Sequence, residues 1–152
     1  MDLGPPPLFS LINLKRKAHF RNSKQVMHIK NCYHLLIWRG KLLFRFNDGK
    51  PIPYIINQRT KFIKKLTTYI FLGEFENKNV FLWDMSDSRD VLGNTGQIGS
   101  FNDADRNYHP DLPKGTYFCD LRNLLPVLNS KYANLCATAK GMYEWHTRVK
   151  FC

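Results

Sequence analysis

Two apolar runs of strand length, split by a short polar segment, constrain this chain more than any other feature. Thr68-Tyr69-Ile70-Phe71-Leu72-Gly73 leads into Glu76-Asn77-Lys78-Asn79, after which Val80-Phe81-Leu82-Trp83-Asp84-Met85 returns. β-Branched and aromatic residues suit a pleated surface and the polar tetrad suits a turn, so the pair reads as a hairpin. Neither arm alternates apolar with polar residues. Strands of that kind are covered on both faces, which places this hairpin centrally in a sheet.

Further strand-like segments precede it at 26–29, 33–38 and 41–46, each broken by a short polar turn. Arg39-Gly40 reads as a tight hairpin turn and Asn47-Asp48-Gly49 as the next reversal. Pro51 and Pro53 keep the following residues extended or at a sheet edge. Phe62, Ile63 and Leu66 among Lys61, Lys64 and Lys65 make a short solvated helical turn between halves of the sheet. Residues 86–114, rich in Gly, Asn, Asp and Pro, read as a long loop. Beyond them the pattern turns helical. Asp120 is placed to cap a short helix that Pro126 limits. A longer helix over 130–149 then carries Tyr132, Leu135, Cys136, Ala139, Met142, Tyr143 and His146 on one buried stripe. The expected fold class is α+β, a mostly antiparallel sheet packed by a long C-terminal helix. One domain over 26–150 fits the 152-residue length, preceded by a basic, flexible tail over 1–25 with its Pro5-Pro6-Pro7.

Composition narrows the function classes. With 43% hydrophobic and 23% charged residues the chain is globular rather than disordered. No apolar run is long enough for a membrane helix, so no membrane partner is expected. The net charge of +11, from 23 Lys and Arg against 12 Asp and Glu, suits a polyanion or a phosphate-bearing ligand. These charges are dispersed, and neither zinc-finger spacing nor an RNA-recognition signature occurs. Cys32, Cys119, Cys136 and Cys152 are far apart, and Met1-Asp2 before three prolines offers no secretory leader. Reduced thiols in an intracellular compartment, cytoplasmic or mitochondrial, follow as the expectation.

Two stretches resemble NADH pyrophosphatases of the NUDIX superfamily. Ile70-Phe71-Leu72-Gly73-Glu74 with Val80-Phe81-Leu82-Trp83-Asp84 is similar to paired strands of that family's NUDIX-like N-terminal domain. Asp120-Leu121-Arg122, with Leu125 and Leu128, leads through Ala133, Leu135, Ala137, Ala139 and Met142 to Trp145-His146 and Phe151-Cys152. This resembles the family helix that delivers the chain to a zinc ribbon. The resemblance implies a scaffold and substrate-pocket domain for NAD(H) or an NAD-capped RNA end, with a homodimer as the expected assembly. It implies Mg or Mn in a glutamate-rich NUDIX box and a structural Zn in the ribbon. Neither element occurs in these 152 residues, so the domain is expected to be non-catalytic, with 151–152 as the start of a missing ribbon.

Individual residues follow. Cys152 corresponds to the family's first zinc ligand, which needs three further ligands to form a site. Arg122 corresponds to the family's arginine near the dinucleotide. As a cation in a first helical turn it opposes the helix dipole, so an anionic partner is expected, either ligand phosphate or Asp120. Lys50, in a Gly-Lys-Pro turn, is the second substrate-facing candidate. His146 is expected as a buried structural histidine and Trp145 as packed beneath a ribbon. His28, His34 and His109 lack metal-ligand spacing. The alternative function is a basic module for nucleic acid or another polyanion.

Overall fold

Local turn chemistry builds the first half of the sheet. The computed structural model describes residues 14–15, 32–57, 60–93 and 106–149. Strands β2 (Cys32–Trp38), β3 (Lys41–Asn47) and β4 (Lys50–Pro53) follow one another through two-residue turns. Arg39 and Gly40 (φ 48° and 83°) and Asp48 and Gly49 (φ 50° and 77°) are left-handed pairs. Such pairs match the right-handed twist of the flanking strands. Glu76-Asn77 (φ 51° and 65°) does the same between β5 (Tyr69–Phe75) and β6 (Lys78–Asp84). The turn anticipated over 76–79 is therefore shorter, and Lys78 and Asn79 join the strand.

Nine strands share one sheet among the described residues. With β1 (Leu14–Lys15), β7 (Leu92–Gly93), β8 (Asn107–Tyr108) and β9 (Thr116–Cys119), the order is β1-β5-β6-β2-β3-β9-β8-β7, and β4 pairs with β3. Every pairing is antiparallel except one. β2 and β6 run parallel in unbroken register from Cys32–Asn79 to Ile37–Asp84. The fold is α+β with a mostly antiparallel sheet, as the sequence pattern implies. Leu14 and Lys15 pair with Phe75 and Glu74, so part of the basic segment before residue 26 is in the sheet. Within 86–114, read as loop, β7 and β8 pair with each other and β8 continues onto β9. The 26–29 strand expectation lies outside the described residues, as do His28, Phe151 and Cys152.

Both faces of the sheet are covered, which explains the unalternating strands. On one face Leu35, Ile37, Leu42, Phe44, Leu72 and Leu82 meet Leu135, Cys136 and Ala139 of the long helix. On the other, Leu36, Leu43, Phe81, Trp83 and Phe118 meet Ile63 and Leu112. Ile63 belongs to the four-residue helix α1 (Lys61–Lys64), which Thr60 caps by accepting from the Ile63 amide. That second face holds a buried polar pair. Trp83 Nε1 donates to His34 Nδ1 at 3.0 Å, so neither group is orphaned in the core.

Asp120 caps α2 (Leu121–Leu124), which tightens into a 3-10 turn at Leu125–Val127 where Pro126 sits. The long helix α3 spans Ser130–Val149. Its small residues Ala137 and Ala139 are buried, letting the helix lie close on the sheet. The expected stripe holds from Tyr132 to Tyr143 but fails at His146, which is exposed. Residues 144–146 are exposed, Trp145 at 59%, so Trp145 is not packed beneath any described element. None of the described helices is long and apolar enough to cross a membrane.

Side-chain ties fix the helix to the strand ends. Lys140 Nζ donates to Gly40 O at 2.6 Å, and Lys131 pairs with Glu76 at 2.6 Å. Tyr143 OH lies 3.2 Å from Ser86 Oγ, which donates to Asp84. Gly40 is doubly constrained: its φ is left-handed, and an added Cβ would fall 2.8 Å from Lys140 Nζ. The lysine tip can swing away, whereas the backbone angle cannot change without losing the turn. Gly40→Ala should therefore cost about 1–2 kcal/mol in denaturant unfolding. Adding Lys140→Ala should not restore that loss; recovery in the double variant would make the close approach, not φ, the governing constraint.

Candidate ligand cleft around Asp120

The end of β9 hands the chain to α2 at a single carboxylate. Asp120 Oδ1 accepts from the Arg122 amide at 3.0 Å, capping the helix, and from Arg122 Nε at 3.3 Å. Its Oδ2 accepts from Arg122 Nη2 at 2.9 Å. The two-point pairing holds the guanidinium in a fixed plane although the Arg122 side chain is 86% exposed. The hydrogen bond from the Arg122 side chain is the main cause that depresses the Asp120 carboxyl below its ordinary value, against the opposing effect of burial. The anionic partner that a first-turn arginine needs is thus supplied by the helix cap itself.

Asp120 is shared by two hollows. The smaller, about 230 Å³, lies toward the sheet between Phe46, Pro51, Arg106, Cys119, Asn123 and Val127. Arg106 spreads over the rings of Phe46 and Tyr117, with centroid distances of 4.2 and 5.5 Å. An arginine stacked in this way presents N–H groups edge-on. The larger hollow, about 480 Å³, lies toward α3 between Leu121, Arg122, Leu125, Ala137, Lys140 and Glu144. Its floor is apolar and its rim carries two paired cations, Arg122 with Asp120 and Lys140 with Glu144 at 3.5 Å.

Lys50 is exposed at the start of β4, opposite Asn47. Its neighbours Gly49 and Pro51 line the smaller hollow, whereas Lys50 is not among the lining residues. Of the two proposed cations, Arg122 lines the larger hollow and Lys50 lines neither. Sequence reasoning missed Arg106 and Lys140. Nothing local marks Arg106, because the rings beneath it come from β3 and β9. Lys140 has only its spacing from Glu144 as a signal.

The arrangement sets three cations, Arg106, Arg122 and Lys140, around the two hollows. Among the described residues no three His, Cys, Asp or Glu side chains come together as a metal-binding group. The described residues of the cleft offer no ligand set for Mg, Mn or Zn. His34 serves Trp83, and His109 Nδ1 accepts from the Asp111 amide at 3.0 Å. Burial raises the Cys32 thiol and pushes that of Cys136 to about 12, leaving Cys136 protonated and inert. Cys119, at the cleft wall, is buried.

A carboxyl held below its ordinary value stabilises the fold above the unfolded value of about 3.9, and that contribution is lost as pH falls through the folded value. Solvent screening limits the ion pair to about 0.2–1 kcal/mol, while the cap is worth about 0.5–2 kcal/mol. Asp120→Ala should lose both at pH 7, and Asp120→Asn only the ionic part. Unfolding curves of wild type and Asp120→Asn should converge as pH falls through the depressed folded value; a gap that persists in acid would assign the effect to packing.

A family model described as NUDIX-like, the NADH pyrophosphatase-like rudimentary NUDIX domain, matches residues 32–145. The match runs from the first residue of β2 into the last turns of α3 and includes the whole Asp120 cleft. Searches of curated proteins and of solved structures found no match.

Proposed function

The chain belongs to the NADH pyrophosphatase-like rudimentary NUDIX domain family, and we propose that it is a non-catalytic scaffold whose Asp120 cleft walls a pocket for a dinucleotide diphosphate. The observation that carries this reading is Arg122, held in plane by Asp120 with its side chain 86% exposed beside an apolar-floored hollow. A diphosphate oxygen would meet a pre-oriented guanidinium, so little side-chain freedom is lost on binding. Lys140 and Arg106 add positive potential on either side, and the hollow floors suit a ribose or ring. Lys50 would act at longer range from the β3–β4 turn. NADH, NAD or an NAD-capped RNA end would share the recognised group. Cleavage of the diphosphate would fall to a glutamate-rich NUDIX box, which these 152 residues do not contain.

The +11 charge favours a second reading, a module that binds RNA or another polyanion. Salt separates the two. Calorimetric titration of the chain with NADH should give saturable binding that weakens mildly with salt and falls about tenfold in Arg122→Ala. Unlabelled RNA lacking the cap should bind no more tightly than NADH. Tight RNA binding that collapses steeply with salt, alongside no NADH signal, would replace the dinucleotide reading with the polyanion one.

A further inference from the structure

The two hollows beside Asp120 differ in charge, and that difference gives the cleft a direction. Among the described residues they share Asp120 alone, so a ligand filling both carries its middle past the Asp120–Arg122 pair. Its two ends then meet different surroundings. Arg106 is the cation of the smaller hollow. Its guanidinium lies 4.2 Å from the ring centroid of Phe46 and 5.5 Å from that of Tyr117. A neutral base stacks well on an arginine plane, whereas a second cation is repelled by it.

The far end of the larger hollow is acidic. The Asp120 carboxyl is lowered first by the Arg122 hydrogen bond and also by the charge of Lys140, so Lys140 lies toward the shared corner. Glu144 lines the same hollow one helical turn further along α3. Its side chain is 47% exposed, and its Oε1 lies 3.5 Å from Lys140 Nζ, too far for a strong hydrogen bond. Lys140 makes its short contact elsewhere, donating to Gly40 O at 2.6 Å. Gly141, also in the lining, carries no side chain, which leaves room for a flat ring along the helix beside the carboxylate.

A dinucleotide diphosphate has ends that tell these hollows apart. Adenine is neutral at pH 7, whereas the nicotinamide ring is a cation when oxidised and neutral when reduced. We propose that the cleft binds its dinucleotide in one direction, adenine at Arg106 and nicotinamide at Glu144, and that Glu144 makes it favour the oxidised form over the reduced one. Attraction at one end and repulsion at the other both oppose the reversed pose. This polarity rests on the dinucleotide reading above and adds to it a specificity-determining residue.

The test titrates the 15N-labelled chain with NAD+, NADH and their two halves, adenosine monophosphate and nicotinamide mononucleotide, and follows amide signals by NMR. Adenosine monophosphate should move Arg106 and Asn123, and nicotinamide mononucleotide should move Gly141 and Glu144. NAD+ should bind about threefold more tightly than NADH, the scale of one exposed ion pair. Glu144→Gln should bring that ratio to about one. Taking the ratio cancels any change in phosphate binding that follows from releasing Lys140. Equal affinities in wild type, a preference that survives Glu144→Gln, or halves that move the opposite residues would overturn the polarity and leave the dinucleotide reading intact. No saturable shift at 120–125 with any of the four ligands would overturn the dinucleotide reading and the polarity together.

Discussion

The parallel ladder between β2 and β6 is the constraint from which the rest of the structure follows. Its six register pairs, Cys32–Asn79 to Ile37–Asp84, put two strands side by side with both faces turned to protein. Parallel strands are stable only when covered above and below. That requirement brings α3 onto one face and α1 with the 109–112 turn onto the other. The second face also holds a buried polar pair, in which Trp83 Nε1 donates to His34 Nδ1. The antiparallel hairpins hang from this spine on either side.

The cleft is a by-product of how the spine is capped. β9 ends against β3, and the chain must turn at once to begin α2 and then cross to α3. Asp120 makes that turn possible by satisfying amides at the helix start. A carboxylate at that corner attracts Arg122, and the short helix, stopped by Pro126, leaves open space on both sides. Fold and cleft thus rest on one side chain. The same economy holds in the β8–β9 loop, where the imidazole that accepts from the Asp111 amide also packs edge-on with Phe62.

What the sequence made legible was local. Arg39-Gly40, Asp48-Gly49, the Asp120 cap and the bounds of α3 each follow from rules spanning a few residues, and the structure has them. The parallel ladder was not legible, because unalternating apolar strands say that both faces are covered and not which neighbour pairs with which. His146 sits at helical spacing with Met142 and Tyr143, yet burial depends on how far the sheet extends beneath the helix. Family resemblance pointed to Arg122, which lines the cleft, and to Lys50, which does not, whereas Arg106 stacks on rings of β3 and β9. Its role exists only after those strands pair. His109 shows no spacing signal, since its work is done within its own turn and against Phe62.

The ladder has a consequence in time as well as space. It joins residue 32 to residue 79, so the first apolar strand waits for its partner while the chain between them is made. Closing so long a loop precedes any reward from the contact, which makes folding slow compared with a helical bundle of this size. During synthesis β2 leaves the ribosome apolar on both faces, with only β3 and β4 to shield it. The interval before β6 emerges is when this domain is most exposed to mispairing, because the Arg39-Gly40 hairpin puts β3 on one edge of β2 while the other stays open until then.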